Sequence, residues 1–468
     1  MLEALAVHAR GPHDPPRYRV PHPLGATRLF RQDPLAFVLD VHRRCGDVAR
    51  FRLAHQNCYL IRDPEHIRHV LVENHENYGK QTLGYRKMSL FLGQGLVTSE
   101  GDFWRRQRRI AQPAFHRKRI RGFGETMIRM AADLDAQWVE DNREAPEGSV
   151  RDIHHDMMAV TLRIVANTVL SIDVDEREAD VGESVSTLLE VFNDSLTRVI
   201  PVHEILPTEM HRKWEKARDY LDSMIYGTIE GRRAEGDAAA NDDLLGMLLT
   251  AVDEETGESM SDLQLRDEVM TMFMAGHETT ANALSWTLYE LARHPNVRAK
   301  LHAEVDAVLR DAQGRPRPPT LEDLNDLPYT AQIIEEGMRL HPPAWIIARS
   351  ATRDDRVGDF QIRGGSIVFM SPYACHRNPA YWSEPEHFDP DRFSPEAKAK
   401  RPRYAYFPFA AGPRVCIGNH FAEMEARVVL ATLAQRWDFT LDERTRIDPD
   451  PSVTLRPHHE LRLRVRPR

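Results

Sequence analysis

Between Ser261 and Pro295 the chain contains no proline, and the segment opens on Ser261-Asp262-Leu263-Gln264, the spacing of a capping box, with Met260 and Leu265 placed as its flanking apolar staple. A helix that starts there and runs to Pro295 is roughly 50 Å long at about 1.5 Å per residue, enough to cross a whole domain. The fold has to be laid around such a rod, so helix packing dominates the expected architecture. From Phe103 onward the remaining pattern is also long and helical. Two shorter sections are strand-rich. The first predicts a hairpin of Val48 to Arg52 and Cys58 to Ile61 around Ala54-His55-Gln56-Asn57, with a helix starting at Asp63-Pro64. The second, Arg349 to Ser371, predicts a hairpin of Phe360 to Ile362 and Ser366 to Met370 around Gly364-Gly365. Gly231 to Asp243 and Arg315 to Pro319 read as exposed connections. The expected fold class is mainly α with a small β region.

A length of 468 residues gives a soft prior of about three domains, but no linker offers a place to cut, so residues 1–468 are expected to form a single domain. No apolar run reaches the ~18 residues of a spanning helix, and Met1 to Gly25 lacks the apolar stretch of a signal peptide, so no membrane anchor and a soluble, cytoplasmic protein are expected. Four cysteines, at positions 45, 58, 375 and 416, form neither a C-x-x-C pair nor a C-x-x-C-H run, which argues against structural zinc and covalently attached haem. The glycine patterns of dinucleotide and P-loop sites are also absent.

Two short stretches carry chemistry. Phe409-Ala-Ala-Gly412-Pro-Arg414-Val-Cys416-Ile-Gly418 sets one cysteine at the opening of a helix expected from about Ile417 to Arg436. Unpaired amides and the positive end of the helix dipole favour the thiolate there, the form that binds metals. Gly412 and Gly418 let the backbone pass close to a large flat ligand, Arg414 offers a fixed cation, and Phe409 can cover the sulfur. A buried structural cysteine is the other reading. The second stretch, Ala275-Gly276-His277-Glu278-Thr279-Thr280, lies in the middle of the long helix. A glycine and a hydroxyl that competes for a backbone carbonyl are expected to loosen the helix there. The stretch is no zincin, because position 281, where H-E-x-x-H needs its second histidine, is alanine.

The first stretch resembles the cysteine-ligand signature of the cytochrome P450 family, F-x-x-G-x-R-x-C-x-G, with each fixed position present, and the second is similar to that family's A-G-x-[DE]-T-[TS]. The resemblance implies the cytochrome P450 fold and haem b (iron protoporphyrin IX) bound through Cys416. It implies a monooxygenase that uses O2 to hydroxylate a hydrophobic small molecule of fatty-acid, terpenoid or steroid-like type. Glu278 and Thr279 would be the catalytic pair, feeding and holding protons for oxygen activation, and Ala275 would lie over the haem face. Trp104 and Arg108 match the family's W-x-x-x-R, and with Arg349 and Arg414 they would meet the propionates. Glu336-Gly-Met-Arg339 resembles the family's E-x-x-R, with Arg392 as its partner in a structural lock.

Between Phe103 and Arg121 lie eight basic residues (Arg105, Arg106, Arg108, Arg109, Arg117, Lys118, Arg119, Arg121) and no acidic one, on a chain of net charge −9. Such a strip can steer a negative partner. It has few interleaved aromatics for stacking bases, so nucleic acid is not expected. By the resemblance the partner is an acidic ferredoxin or flavodoxin with its NAD(P)H-dependent reductase. The chain ends about fifty residues after Cys416, so no fused reductase is expected. The substrate lining implied by the family comes from Tyr85 to Leu92, Phe192 to Ile200, Met272, Phe273, Ala344 to Ile347 and Val453-Thr454-Leu455, although simple core packing accounts for each of these residues alone. A peroxide-dependent or non-oxygenating haem-thiolate enzyme, or a haem-based gas-binding protein, are the alternatives. The intact Glu278-Thr279 pair speaks against the first two, and the absence of an output domain against the last.

Overall fold

The computed structural model describes residues 5–7, 13–143, 145, 147–172, 178–197, 208–234 and 243–468. The chain divides into two units, each drawn from three stretches of sequence. The first comprises Met1–Arg86, Met338–His387 and Ser394–Cys416, and the second Lys87–Gly337, Phe388–Phe393 and Ile417–Arg468.

The first unit is built on a mixed seven-stranded sheet. Its centre is the hairpin of Val48–Leu53 and Gln56–Ile61, in register from Val48 opposite Ile61 to Leu53 opposite Gln56, with Ala54 at φ +50° in the turn. Alternation gives the sheet two apolar faces. Val48, Tyr59, Ile61, Val368 and Met370 are buried in one cluster with Ile67, Val70 and Leu71. On the other face Phe51 stacks on Phe369 with ring centroids 6.1 Å apart. The expected helix after the hairpin is present as Pro64–Arg68, where the Asp63 carboxylate accepts from the amides of Glu65 and His66.

The second hairpin is not the one predicted. Ile367–Met370 runs antiparallel to Ile347–Ala351 and parallel to Gln56–Ile61, while Phe360–Ile362 pairs with Asp355–Val357. The tight turn falls at Gly358-Asp359, with Gly358 at φ +55°, and not at Gly364-Gly365. A two-residue loop that starts on a left-handed glycine suits the twist of a hairpin. The four-residue strand after Gly365 is claimed by apolar partners on both sides.

The second unit is helical around Asp262–Arg293. The capping box is complete: the Gln264 amide donates to Ser261 Oγ, and the Ser261 amide donates to Gln264 Oε1. Met260 and Leu265 are both buried beside it. The helix is covered on nearly every side, the pattern of a central helix rather than an amphipathic surface one. Its neighbours include Ile153–Leu170, Glu209–Ala234, Leu244–Thr250 and Asn419–Arg436. A three-stranded sheet of Trp437–Leu441, Arg462–Pro467 and Ser149–Asp152 lies in the same unit.

The stretch expected to be an exposed connection from Gly231 differs at both ends. The helix Glu209–Ala234 carries on past Gly231, Arg232 is buried, and its guanidinium pairs with Asp243 at 2.5 Å. Asp243 in turn caps Leu244–Thr250, accepting from the Gly246 amide. Residues 235–242 lie outside the described residues, as do 1–4, 8–12 and 198–200 of the stretches considered above. Among the described residues no helix is long and apolar enough to cross a membrane.

Candidate active site

Of the candidate residues, Arg349, Phe409, Gly412, Arg414 and Cys416 belong to the first unit, and Trp104, Arg108, Ala275, Glu278, Thr279 and Gly418 to the second. In the first unit Cys416 closes a tight loop. Its amide donates to the Phe409 carbonyl at 3.0 Å, and the turn Gly412–Arg414 is closed by the Val415 amide on Gly412 O. Gly412 stands at φ +70°, and a Cβ there would lie 2.0 Å from the Leu71 carbonyl oxygen, so the position needs glycine for the loop's own backbone as well as for any ligand. Gly418 has an ordinary φ and room for a side chain, with Phe115 3.9 Å from the Cβ position. The helix after the loop begins at Asn419, two residues later than expected, with Gly418 as its N-cap. Cys416 is the exposed one of the four free cysteines. The others are buried and their thiols are pushed up by desolvation, Cys45 to about 11 and Cys58 to about 12.

The loop hangs on a buried polar chain. His376, just before it in space, accepts from the Phe407 amide through Nε2 at 3.0 Å. Burial holds that imidazole neutral, with the Arg339 and Arg377 charges acting in the same direction. The Arg339 guanidinium, fully buried, donates to the carbonyls of His376, Pro385 and His387 at 3.0, 2.6 and 3.0 Å. In the second unit Glu336, also fully buried, accepts from the Asp389 amide at 2.8 Å and faces Arg392 at 3.5 Å. The residues of the E-x-x-R resemblance therefore act on loop backbone, as the structural reading of them expected.

In the second unit the Ala275–Thr280 stretch remains helical throughout. The expected loosening does not occur, because the neighbouring helix Ile153–Leu170 grips it. A Cβ on Gly276 would come within 3.1 Å of Val165, His277 Nε2 lies 3.1 Å from the Met158 carbonyl, and Thr161 Oγ1 donates to His277 O. Gly276 thus has a packing reason. Thr279 does make the side-chain bond anticipated, donating to Ala275 O at 2.6 Å. Ala275 is exposed on a helix whose other positions are mostly buried, and Thr279, one turn on, shares its face. Glu278 is 4 % exposed. Burial raises its carboxyl pKa, against the opposing effects of a hydrogen bond from Thr454 and the Arg456 charge.

The cations are placed unequally. Trp104 is buried and Arg108 half-buried, one turn apart on the helix Gly101–Ala111. Arg414 is half-buried in the cysteine loop. Arg349 is 5 % exposed, yet it donates only to Tyr85 Oη and the Ala348 carbonyl, and no carboxylate among the described residues pairs with it. A buried guanidinium without an anion is costly unless a ligand supplies one. Within the first unit, the exposed Cys416 thiol and the buried Arg349 guanidinium suit an iron-bearing cofactor with acidic substituents.

At least half of the basic strip is paired with acidic residues. Arg105 pairs with Asp102, Arg106 with Glu258, Arg109 with Asp253 and Glu255, and Arg121 with Glu322. The Arg109 guanidinium holds the Asp253 carboxyl down to about 2. The strip of eight basic residues with no acidic one among them is therefore less positive than its composition implies, because acidic residues from elsewhere in the chain fold onto it. Exposed positive charge is concentrated at Arg117, Lys118 and Arg119, and Arg117 donates to His420 at the start of the last helix. Two further polar residues are buried and linked to Glu278: Asn282, which no local pattern singles out, and Thr454, which the family resemblance named only as substrate lining. One offset signal was available, since Asn282 lies one turn beyond Glu278 on the same face.

A family model described as cytochrome P450 matches residues 12–463. Cyclooctatin synthase of Streptomyces melanosporofaciens is 35 % identical over 432 residues, covering 92 % of this chain and 91 % of that protein. Pentalenene oxygenase of Streptomyces avermitilis is 31 % identical over 444 residues, covering 94 % of each. Among solved structures, a cytochrome P450DA heme domain is similar with a TM-score of 0.84 at 28 % identity, covering 93 % of both chains.

Proposed function

The chain belongs to the cytochrome P450 family, and from that premise we propose that it hydroxylates a terpenoid at haem b, with electrons from a separate acidic ferredoxin or flavodoxin. It is a cytochrome P450 monooxygenase, an oxidoreductase that uses haem and O2 on a hydrophobic substrate. The observation that carries the reading is the coexistence of the exposed Cys416 thiol in its tied loop with the Glu278 and Thr279 pair on the buried central helix. The terpenoid choice is supported by the names of the similar pentalenene oxygenase and cyclooctat-9-en-7-ol 5-monooxygenase. The apolar packing of Phe91 edge-on against Phe192, near Met272 and Phe273 in one buried cluster, is in keeping with it.

When bound, the haem supplies the redox chemistry that places one atom of O2 into a C–H bond. Cys416 would hold its iron as thiolate. Arg108, Arg349 and Arg414, with Trp104, would neutralise its acidic edge, and Phe409, Gly412 and Gly418 would line the sulfur side. Ala275 leaves space beside Thr279 for a small ligand. Thr279 Oγ can exchange its bond with Ala275 O for one to a water, and Glu278, whose carboxyl pKa is raised by burial, would hand on a proton from one residue away. Delivering protons singly from a desolvated acid avoids flooding the site. That division of labour favours the oxygen-dependent reaction over the peroxide-dependent alternative, which has less need of an acid.

The single-domain reading is supported by the span of the family match. A cytoplasmic setting is supported by four free cysteines. The docking reading for an acidic redox protein is supported by the exposed cations at 117–119 beside the last helix.

A panel of terpenoids beginning with pentalenene, set against fatty acids and steroids, tests the substrate class through the shift of the ferric Soret band as water leaves the iron. A response confined to fatty acids would remove the terpenoid reading. Thr279→Ala is expected to keep haem content and substrate affinity while product formed per NAD(P)H falls by about two orders of magnitude, within the usual scale of positioned proton transfer. The missing equivalents are expected as hydrogen peroxide, measured with a surrogate ferredoxin system. Unchanged coupling would take Thr279 out of the mechanism.

A further inference from the structure

Glu278 does not reach into open space unsupported; its Oε1 is held from behind by the C-terminal hairpin. Thr454 Oγ1 donates to Glu278 Oε1 at 2.8 Å, and Asn282 Nδ2 donates to Thr454 Oγ1 at 3.0 Å. All three side chains are at least nine-tenths buried. A hydroxyl has one proton. Because the Asn282 amide already fills an acceptor position on Oγ1, that proton is directed at Oε1.

The hairpin is in turn fixed to the central helix. Pro449–Pro451 pairs with Leu455–Pro457, Trp286 Nε1 donates to the Leu455 carbonyl at 2.9 Å, and Arg456 spans the two strands to Asp450 at 3.0 Å. Thr454 therefore sits at a set height against Glu278 rather than on a loose tail. The charged groups that face Glu278 are Arg456 and Asp450 on this hairpin. On the helix Ile153–Leu170, half-buried His154 lies near Arg456, its pKa lowered by desolvation to about 4, and its Nδ1 is 3.4 Å from Ser285. His277 is turned toward Met158 and is also neutral.

We propose that Thr454, oriented by Asn282, is a positioning residue for the monooxygenase reaction: it fixes which oxygen of Glu278 carries the transferable proton. A carboxylic acid that accepts at Oε1 keeps its own proton on Oε2. Each delivery removes one proton from Oε2 and water returns one to the same oxygen, while Thr454 keeps its own and no electrons move. The inference rests on Glu278 being the proton donor proposed above.

The test uses the full-length holoenzyme and its Thr454→Val, Thr454→Ala and Thr454→Ser forms. The infrared carbonyl band of protonated Glu278, assigned by its loss in Glu278→Gln, reports the hydrogen bond without turnover. It is expected to move to higher wavenumber in the valine and alanine forms and to stay in place in the serine form. Removing a donor to the charged form also raises the Glu278 pKa, so the band's pH midpoint is expected to move upward in the same two variants. With a surrogate ferredoxin system and no substrate, peroxide released per O2 consumed is expected to rise in them and to return in the serine form. A band unmoved in both the valine and alanine forms, or one that serine does not restore, overturns the proposal. A band that moves while the peroxide ratio does not also overturns it, since the hydrogen bond would then have no part in proton delivery. If Glu278→Gln itself leaves the peroxide ratio unchanged, the proton-donor reading fails, and the infrared result still decides whether Thr454 holds the acid.

Discussion

Cys416→Ala is expected to abolish the strongly red-shifted Soret band of the reduced carbon monoxide complex and to reduce turnover to background. The expectation follows from the state of the other thiols. A metal ligand has to be a thiolate. Cys45, Cys58 and Cys375 are buried, and desolvation pushes each of them away from that form, most of all Cys375, which is enclosed completely. None can take over by a small shift of the chain. Cys416, exposed in a loop whose path is set by the Phe409 carbonyl and by Gly412, is the one thiol presented for ligation. The check is a difference spectrum of wild type and variant. A histidine-type band in the wild type, or an unaltered band in the variant, would show that another side chain holds the iron.

Arg339→Ala is expected to lower stability by about 3–5 kcal/mol, the scale for removing one partner from a buried charged network. The side chain is fully buried, its guanidinium lies 5.2 Å from the centre of the Trp382 ring, and it satisfies three carbonyls at once. Truncation leaves those oxygens without donors, each unmet group costing about 1–3 kcal/mol before relaxation. Arg339→Lys keeps the charge but not the planar fork, so it is expected to recover less than half of the loss. Denaturant midpoints of the three proteins, compared at equal slope, measure it. Because His376 both offers its carbonyl to Arg339 and takes the Phe407 amide on its ring, the variants are also expected to retain less haem. A change below about 1 kcal/mol, typical of a surface position, would mean that the clamp is dispensable.

The parts of the fold legible in the sequence were those written in neighbouring residues. The capping box at Ser261, the hairpin at Ala54 and the helix start at Asp63-Pro64 each depend on residues within a few positions of one another. What was not legible is long-range. Nothing near Ile367 announces that it will lie parallel to Cys58, and the choice of Asp355–Val357 as partner for Phe360–Ile362 turned on one left-handed glycine among several candidates. The site divides in the same way. The cysteine loop and the Ala275–Thr280 stretch stand out because their chemistry is compressed into ten residues or fewer. The link of Thr454 and Asn282 to Glu278 does not, since a buried hydroxyl and amide acquire that meaning only when folding sets them beside the acid. The basic strip was legible as composition but not as net charge, because its partners Asp253, Glu255, Glu258 and Glu322 arrive from elsewhere in the chain.

Three of the bonds that Arg339 makes fall on main-chain oxygens, and every amino acid carries the same one. The clamp is therefore indifferent to what grows outward from the residues it holds. Glu384, Glu386 and His387 are exposed along this segment, and Glu386 pairs with the buried Arg377 at 3.1 Å, so the path of the chain rests on the clamp while its outer charge rests on what each side chain meets.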